Sequence, residues 1–170
     1  IFIAVLVLIF SFQSWTKADD ISDFEIEGMS IGDSALDYYS ISEINDATKT
    51  FYPNSDKFYI FHIVTYSGNY DQISIAVKKN DKKFIIYKIA GDKYFTDNEE
   101  KCLKEKDRVT NDFDLLLDTL NKSDYTSKYT SLDDGKSYAE VTDYDFEDKS
   151  AIRVFCNFFT QNTIDKRDMF

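Results

Sequence analysis

The chain has 170 residues, and its 31 acidic residues outnumber its 20 basic ones, so the formal net charge is −11. This balance argues against a protein that binds nucleic acid or anionic lipid, because those ligands are held by clustered lysine and arginine. One proline and five scattered glycines argue against long flexible linkers and against a phosphate-binding glycine loop. We therefore expect no nucleotide and no cofactor.

The first eighteen residues predict a secretory signal. Residues 1–12 are almost entirely aliphatic and aromatic, and Thr16 and Ala18 supply the small residues of a cleavage site. The alternative is a retained membrane anchor: a spanning helix needs about 20 apolar residues, and the run is longer if residues precede Ile1. We expect a cleaved signal, a periplasmic or secreted product, and one globular domain over residues 19–170. Membrane contact is expected only if the segment is retained.

Residues 24–52 predict one strand and two short helices. Residues 24–26 alternate like a strand. The capping pattern at 30–33 precedes a short helix at 34–39, and a second such pattern at 40–43 precedes a helix at 44–49.

Three strands of a meander follow. Residues 58–66 are apolar on both faces, which indicates a central strand, whereas residues 72–78 alternate between apolar and polar. The third strand is predicted at 83–90. The basic run at 78–83 fits a polar hairpin tip better than a phosphate site.

The longest helical pattern spans residues 97–122, with an apolar stripe at helical spacing. Residues 121–136 are polar and predict a loop. A final hairpin is predicted from strands at 137–146 and 150–159. In its second strand the residues that share the core face are Ile152, Val154, Cys156 and Phe158.

The element order β-α-α-β-β-β-α-β-β indicates an α+β fold. We expect one antiparallel sheet of roughly five to six strands, made of the meander and the C-terminal hairpin. Two short N-terminal helices and one long helix are expected mainly on one face of it.

The two cysteines, Cys102 and Cys156, predict a single disulfide, because an exported protein folds in an oxidising compartment. Both lie on the predicted core side of their elements, so the bridge would attach the long helix to the sheet. The alternative is a pair of buried free thiols.

The candidates for catalysis are few, and we assign no catalytic residue. His62 is the only histidine, and its position within a strand favours a hydrogen-bonded structural role. Gly32-Asp33-Ser34 is faintly similar to the G-D-S block of a lipase-like hydrolase family. That family also needs an Asp-x-x-His motif far along the chain, and the single histidine, His62, comes too early in the sequence to supply it.

No metal site is predicted. One histidine and two bridged cysteines cannot form a zinc site. Residues 143–148 have the acidic spacing of a calcium loop but lack its glycine and its final glutamate. On a strand, this spacing places Asp143, Asp145 and Glu147 on one solvated face, and loose calcium binding there is the alternative.

A binding surface is the remaining candidate, although its ligand-binding residues are unknown. Aromatic side chains in or beside polar sequence favour peptide or glycan contacts, unless they cover the edge of the core. They are Tyr38, Tyr39, Phe51, Tyr52, Tyr125, Tyr129, Tyr138 and Tyr144.

The run FEIEGMSIGDSALDYYS, with YDQISIAVKKNDKKFIIYKIAG after it, resembles an uncharacterised family of small exported bacterial proteins. Their shared opening is a strand, Gly-Met-Ser-x-Gly-Asp-Ser and a helix. Residues 24–90 are more weakly similar to the small lipoprotein of the outer-membrane assembly machinery, through Gly28-Met29-Ser30 and the meander. The first resemblance implies no particular activity, and the second implies an α+β layout and a role in envelope assembly.

These observations favour a non-enzymatic exported protein that binds a protein or an envelope component. One alternative is a small-ligand carrier, which requires an enclosed apolar pocket. The other is a carboxylate-based hydrolase acting on glycans, which would use Asp133 and Asp134 or the acidic residues 143–148.

Overall fold

The computed structural model describes residues 20–52, 56–66, 68–95, 98–118, 120–133, 135–161 and 163. The predicted signal segment lies outside these residues. The strands are β1 (Thr48–Phe51), β2 (Phe58–Val64), β3 (Gln72–Lys78), β4 (Ile86–Asp92), β5 (Asn121–Lys128), β6 (Tyr138–Asp145) and β7 (Ala151–Phe158). The α-helices are α1 (Ile41–Asp46), α2 (Glu99–Leu116) and α3 (Thr130–Asp133). Short 3-10 helices lie at Ile21–Asp23 and Ala35–Asp37.

The fold is α+β, as predicted, but the strands form two antiparallel sheets instead of one. β1-β2-β3-β4 form a four-stranded sheet, and β5-β6-β7 form a three-stranded sheet. The predicted single sheet of five to six strands is therefore wrong. The hairpin of β6 and β7 forms as predicted, but β6 pairs with β5 and neither strand pairs with the meander.

Two strands lie where the sequence predicted other structures. Residues 48–51 form the edge strand β1 beside β2, whereas a helix was predicted to continue to residue 49. Residues 121–128 form β5, whereas a loop was predicted. Both strands are short of apolar residues, so neither carries the alternation by which β3 was predicted. The strand predicted at 24–26 is reduced to a single bridge between Ile26 and Met29.

Local capping explains where the N-terminal helices begin. The hydroxyl of Ser40 accepts the backbone N–H of Glu43, and the Glu43 carboxylate accepts that of Ser40, so a complete capping box starts α1. Ser34 caps the 3-10 helix at Ala35–Asp37 by accepting the Leu36 N–H. The predicted short helix at 34–39 is therefore a single 3-10 turn.

Each sheet has its own apolar cluster. In the first, Phe61, Ile73, Ile75 and Val77 of β2 and β3 are fully buried against Met29, Ala35 and Ile44. In the second, Leu117, Tyr144 and Phe146 pack with Phe113 of α2. The N-terminal segment joins the two clusters, because Phe24 packs against the second cluster while Ile26 packs against the first.

The predicted disulfide is present. Cys102 of α2 is bonded to Cys156 of β7 across 6.0 Å between their Cα atoms, so the bridge attaches the long helix to the three-stranded sheet. α2 packs against β7, and its C-terminal half also contacts Tyr144 of β6. Among the described residues, no helix is both long enough and apolar enough to cross a bilayer.

Candidate functional site

The four-stranded sheet has one face on the core and one that we call the open face. Residues paired across antiparallel strands point to the same side, so the registers define both faces. Within the described part of the chain, no helix or strand packs across the open face. Its residues are Thr48 and Thr50 on β1, Phe58, Ile60, His62 and Val64 on β2, Gln72, Ser74, Ala76 and Lys78 on β3, and Tyr87, Lys88, Ala90 and Asp92 on β4.

A row of hydrogen-bonded side chains crosses this face from β1 to β4. The hydroxyl of Ser74 donates to Oδ2 of Asp92 at 2.6 Å, and Nδ1 of His62 lies 2.9 Å from Oγ of Ser74. On the other side, Nε2 of His62 lies 2.9 Å from Oγ1 of Thr50. Gln72 donates to the same carboxylate oxygen at 3.2 Å. The pattern fits a neutral imidazole with its proton on Nδ1.

The electrostatics of the row favour that neutral form. Partial burial lowers the pKa of His62, and the negative charge of Asp92 opposes this shift only in part. The Ser74 hydroxyl donates its hydrogen bond to Asp92 and not to His62, so the order of groups is Asp-Ser-His. A nucleophilic serine needs the histidine between it and the carboxylate. The row therefore has the geometry of a polar rung that joins four strands.

Apolar and basic side chains occupy the rest of the face. The rings of Phe58 and Tyr87 meet edge to face with their centroids 5.2 Å apart, and Nζ of Lys78 lies 4.4 Å from the centroid of the Tyr87 ring. Lys88 is exposed beside them. Tyr87 is 43% exposed, and Val64 at the far end of β2 is 57% exposed. The end of the face formed by Phe58, Lys78 and Tyr87 thus offers aromatic surface together with positive charge.

The sequence identified only part of this site. His62 was singled out, and its predicted hydrogen-bonded role agrees with its partners Thr50, Ser74 and Gln72. Thr50, Ser74 and Asp92 were not, because they meet His62 only through strand pairing, and β1 was not predicted. Alternating polar residues in 72–78 were the one available signal.

The structure separates the aromatic residues that the sequence grouped together. Tyr144 is buried, with its hydroxyl donating to Asp114 at 2.8 Å. Tyr39, Tyr129 and Tyr138 are half-buried. The exposed members are dispersed over both sheets and are Tyr38, Phe51, Tyr52 and Tyr125.

Of the three acidic residues expected on one solvated face, Asp145 and Glu147 are exposed as predicted, but Asp143 is not. Asp143 is buried, because Arg153 and Tyr125 cover its carboxylate. The bond from Arg153 is the largest influence lowering the pKa of Asp143, and Tyr125 adds a second hydrogen bond. Asp148 lies in the hairpin turn and accepts the backbone N–H of Ser150. The side chain of Asp133 and all of Asp134 lie outside the described part of the structure.

Three other features of the described residues bear on the predicted chemistry: metal-binding groups, the G-D-S block and a surface cleft. No group of three or more histidine, cysteine, aspartate or glutamate side chains among them is placed to hold a metal ion. Ser34 of the G-D-S block donates to the carbonyl of Lys83 at 2.7 Å, which fixes the 3-10 helix to the meander. A shallow cleft of about 290 Å³ lies at the β3–β4 turn and is lined by Tyr59, Asn80, Asp81, Lys82 and Phe84.

Comparison with protein-family models, with curated proteins and with solved structures gives no significant match for this chain. The resemblance to the exported family and to the assembly lipoprotein therefore stays a prediction.

Proposed function

We propose that this chain is an exported, non-enzymatic protein that binds an acidic protein partner through the open face of its four-stranded sheet. One observation carries the proposal. The face presents exposed aromatic, apolar and lysine side chains, and no described element of the chain covers it.

The charges on the face support an acidic partner. The whole chain is strongly acidic, yet this face carries Lys78 and Lys88. Within the described residues, no carboxylate lies within 4 Å of either amino group. A carboxylate of the partner could pair with the amino group of Lys78 or Lys88 beside the rings of Phe58 and Tyr87. Aromatic rings next to a charge of the opposite sign are typical of residues that contribute most to binding energy.

The polar row supports binding over catalysis. Each group of the row is hydrogen-bonded within the face, so docking an apolar surface there leaves no unpaired polar group of the row buried. The hydroxyl of Ser74 donates to Asp92, so His62 does not lie between the serine and the carboxylate as it does in a catalytic triad.

The two alternatives receive less support. A small-ligand carrier needs an enclosed apolar pocket, whereas the cleft at the β3–β4 turn is shallow and lined by polar groups as well as rings. A hydrolase that used Asp143 as its acid would need a raised pKa, but Arg153 lowers the pKa of that carboxyl.

Export is part of the proposal. The disulfide is compatible with an oxidising compartment, since such bonds are rare in the cytosol. The apolar segment 1–18 is the predicted secretory signal, and a periplasmic or secreted location is inferred from it. A role in envelope assembly rests on the resemblance alone.

The test is site-specific photo-crosslinking in the native host. A photoreactive phenylalanine analogue at Tyr87 should give a cross-linked protein adduct, whereas the same analogue at Tyr38 should not. Tyr38 is a matched control because it is 42% exposed but lies away from the open face. The captured partner is then purified, and Lys88→Glu should weaken its binding at least about tenfold.

Two results would overturn the proposal. One is equal cross-linking from both positions, which would indicate random collision. The other is a purified partner whose affinity is unchanged by Lys88→Glu and by added salt, because an acidic contact to this face must respond to both.

A further inference from the structure

β5 is an edge of the three-stranded sheet, and none of the described strands pairs with its outer side. It pairs with β6 on its inner side, and β7 forms the opposite edge. Every residue of β5 except Ser127 is exposed. Natural proteins normally shorten, bend, cover or charge such strands; β5 keeps eight regular residues and carries charges of both signs at Lys122, Asp124 and Lys128.

The hydrogen-bond pattern shows which backbone groups point outward from this edge. The N–H of Tyr129 donates to the carbonyl of Ser137 at 2.9 Å, and these two residues lie in the β5–β6 register. Pairs that exchange hydrogen bonds alternate along an antiparallel ladder. The odd-numbered residues of β5 therefore bond to β6, and the N–H and C=O groups of its even-numbered residues face the open edge. These residues are Lys122, Asp124, Thr126 and Lys128.

The charges along this edge are self-complementary. If a second β5 strand runs antiparallel with Thr126 opposite its own counterpart, Asp124 of each copy lies opposite Lys128 of the other. All of these residues have outward-facing backbone groups, so the register allows about six hydrogen bonds between the chains. Opposite charges on paired residues stabilise such a ladder.

The neighbouring registers are worse. A shift that places Asp124 opposite its own counterpart brings two carboxylates together, and one that centres on Tyr125 places Lys122 opposite Lys128. A register that pairs Lys122 with Asp124 must extend the strand into residues 117–120. There Leu117 is buried in the core, and Lys122 already bonds Asp114 at 2.7 Å.

We propose that a second copy of this chain pairs with the first through β5, antiparallel about Thr126, and joins the two three-stranded sheets into one. The helix α2 packs on one face of the sheet, where it contacts β7, β6 and Lys122 of β5, and not beside the outer edge of β5. The open face belongs to the other sheet, so self-association and the proposed partner binding use different surfaces and are tested separately.

The first experiment is sedimentation equilibrium of the exported protein at physiological salt. The wild-type protein should dimerise, and Lys128→Asp should raise the dissociation constant at least about tenfold by placing two like-charged pairs across the ladder. The double variant Asp124→Lys with Lys128→Asp restores opposite charges and should recover the wild-type constant within about threefold. A monomeric wild-type protein, or a dimer unaffected by Lys128→Asp, would overturn the proposal.

A second experiment does not depend on the charged residues. Thr126→Cys should form a disulfide-linked dimer on mild oxidation, because the residue meets its own counterpart. Ser123→Cys on the same strand should not, since its counterpart in this register is Tyr129. Equal cross-linking by the two variants would contradict the register. Thr126→Pro removes an outward amide that the monomer does not use, so it should abolish the dimer while circular dichroism stays unchanged.

Discussion

Arg153 binds both carboxylate oxygens of Asp143 across β6 and β7. Its Nε lies 2.6 Å from Oδ1 and its Nη2 lies 2.7 Å from Oδ2, so the guanidinium and the carboxylate form a bidentate pair. The carboxylate is nearly buried, with 11% of the Asp143 side chain exposed, whereas 53% of the Arg153 side chain is exposed. The buried partner therefore depends on the exposed one.

Arg153→Leu should lower the free energy of unfolding by about 1–2 kcal/mol. Leaving a buried carboxylate without its cation is costly, and the half-exposed arginine reduces the loss below that of a fully buried pair. Urea unfolding measures this loss in the free energy of unfolding. Arg108→Leu on α2 is the control, because Arg108 pairs with Glu105 and Asp112 at the surface. Equal effects of the two variants would contradict the assigned role of Arg153.

The same pair predicts a pH dependence in the acid range. Because the folded-state pKa of Asp143 lies below its ordinary value, the pair stabilises the fold above about pH 4 and this contribution is lost as pH falls through the lowered pKa. The free energy of unfolding, measured between about pH 6 and pH 2.5, should fall less steeply with decreasing pH in Arg153→Leu than in the wild-type protein. Parallel curves would refute this.

Reduction of the disulfide should lower the free energy of unfolding by about 4 kcal/mol, because the bridge closes a long loop in the unfolded chain. The separation of Cys102 and Cys156 is 54 residues. Denaturant unfolding with and without reductant measures the change. The double variant Cys102→Ser with Cys156→Ser is the control, and it should be insensitive to reductant. A wild-type protein with the same midpoint in both conditions would exclude a structural bridge.

His62 should make the fold less stable as the solution becomes mildly acidic. Its folded-state pKa is lowered by burial, so the unfolded chain binds the proton more readily. Stability is then complete above the unfolded pKa of about 6.5 and declines as pH falls below it. His62→Gln should flatten this decline between about pH 7 and pH 5. An imidazole that titrates above its ordinary pKa by NMR would argue against the prediction.

Gly91→Ala should destabilise the four-stranded sheet by about 1–3 kcal/mol. A Cβ at this position would clash with the ring of Tyr70, which lies directly against the glycine. Thermal unfolding measures the loss. Adding Tyr70→Ala removes the obstacle, so the double variant should be more stable than the sum of the two single changes implies. Strict additivity would show that the ring can move aside.

The sequence predicted the elements that carry a periodic apolar signal. The bounds of β3 agree at both ends, and those of β6 and β7 agree within one residue, because their buried positions recur at strand spacing. The start of α2 agrees within two residues, but the helix ends at Leu116 and not at residue 122, since β5 begins at Asn121. The inward positions of Cys102 and Cys156 followed from the same spacing, and the bond between them is present.

β1 and β5 were missed for the opposite reason. Their exposed edge positions need no apolar side chains, so TKTF and NKSDYTSK give no alternation to detect. The row from Thr50 to Asp92 was missed with them, since its members come from four strands that only pairing brings together.

The apolar periodicity of the chain was enough to predict an α+β fold, the segments with an apolar core face and the inward position of two cysteines. The division of the strands into two sheets, the hydrogen bonds of His62 to Thr50 and Ser74 and the burial of Asp143 beneath Arg153 emerged only from the folded chain. Apolar periodicity is a local property of the sequence, whereas strand pairing depends on the register between distant segments, which polar side chains do not reveal locally.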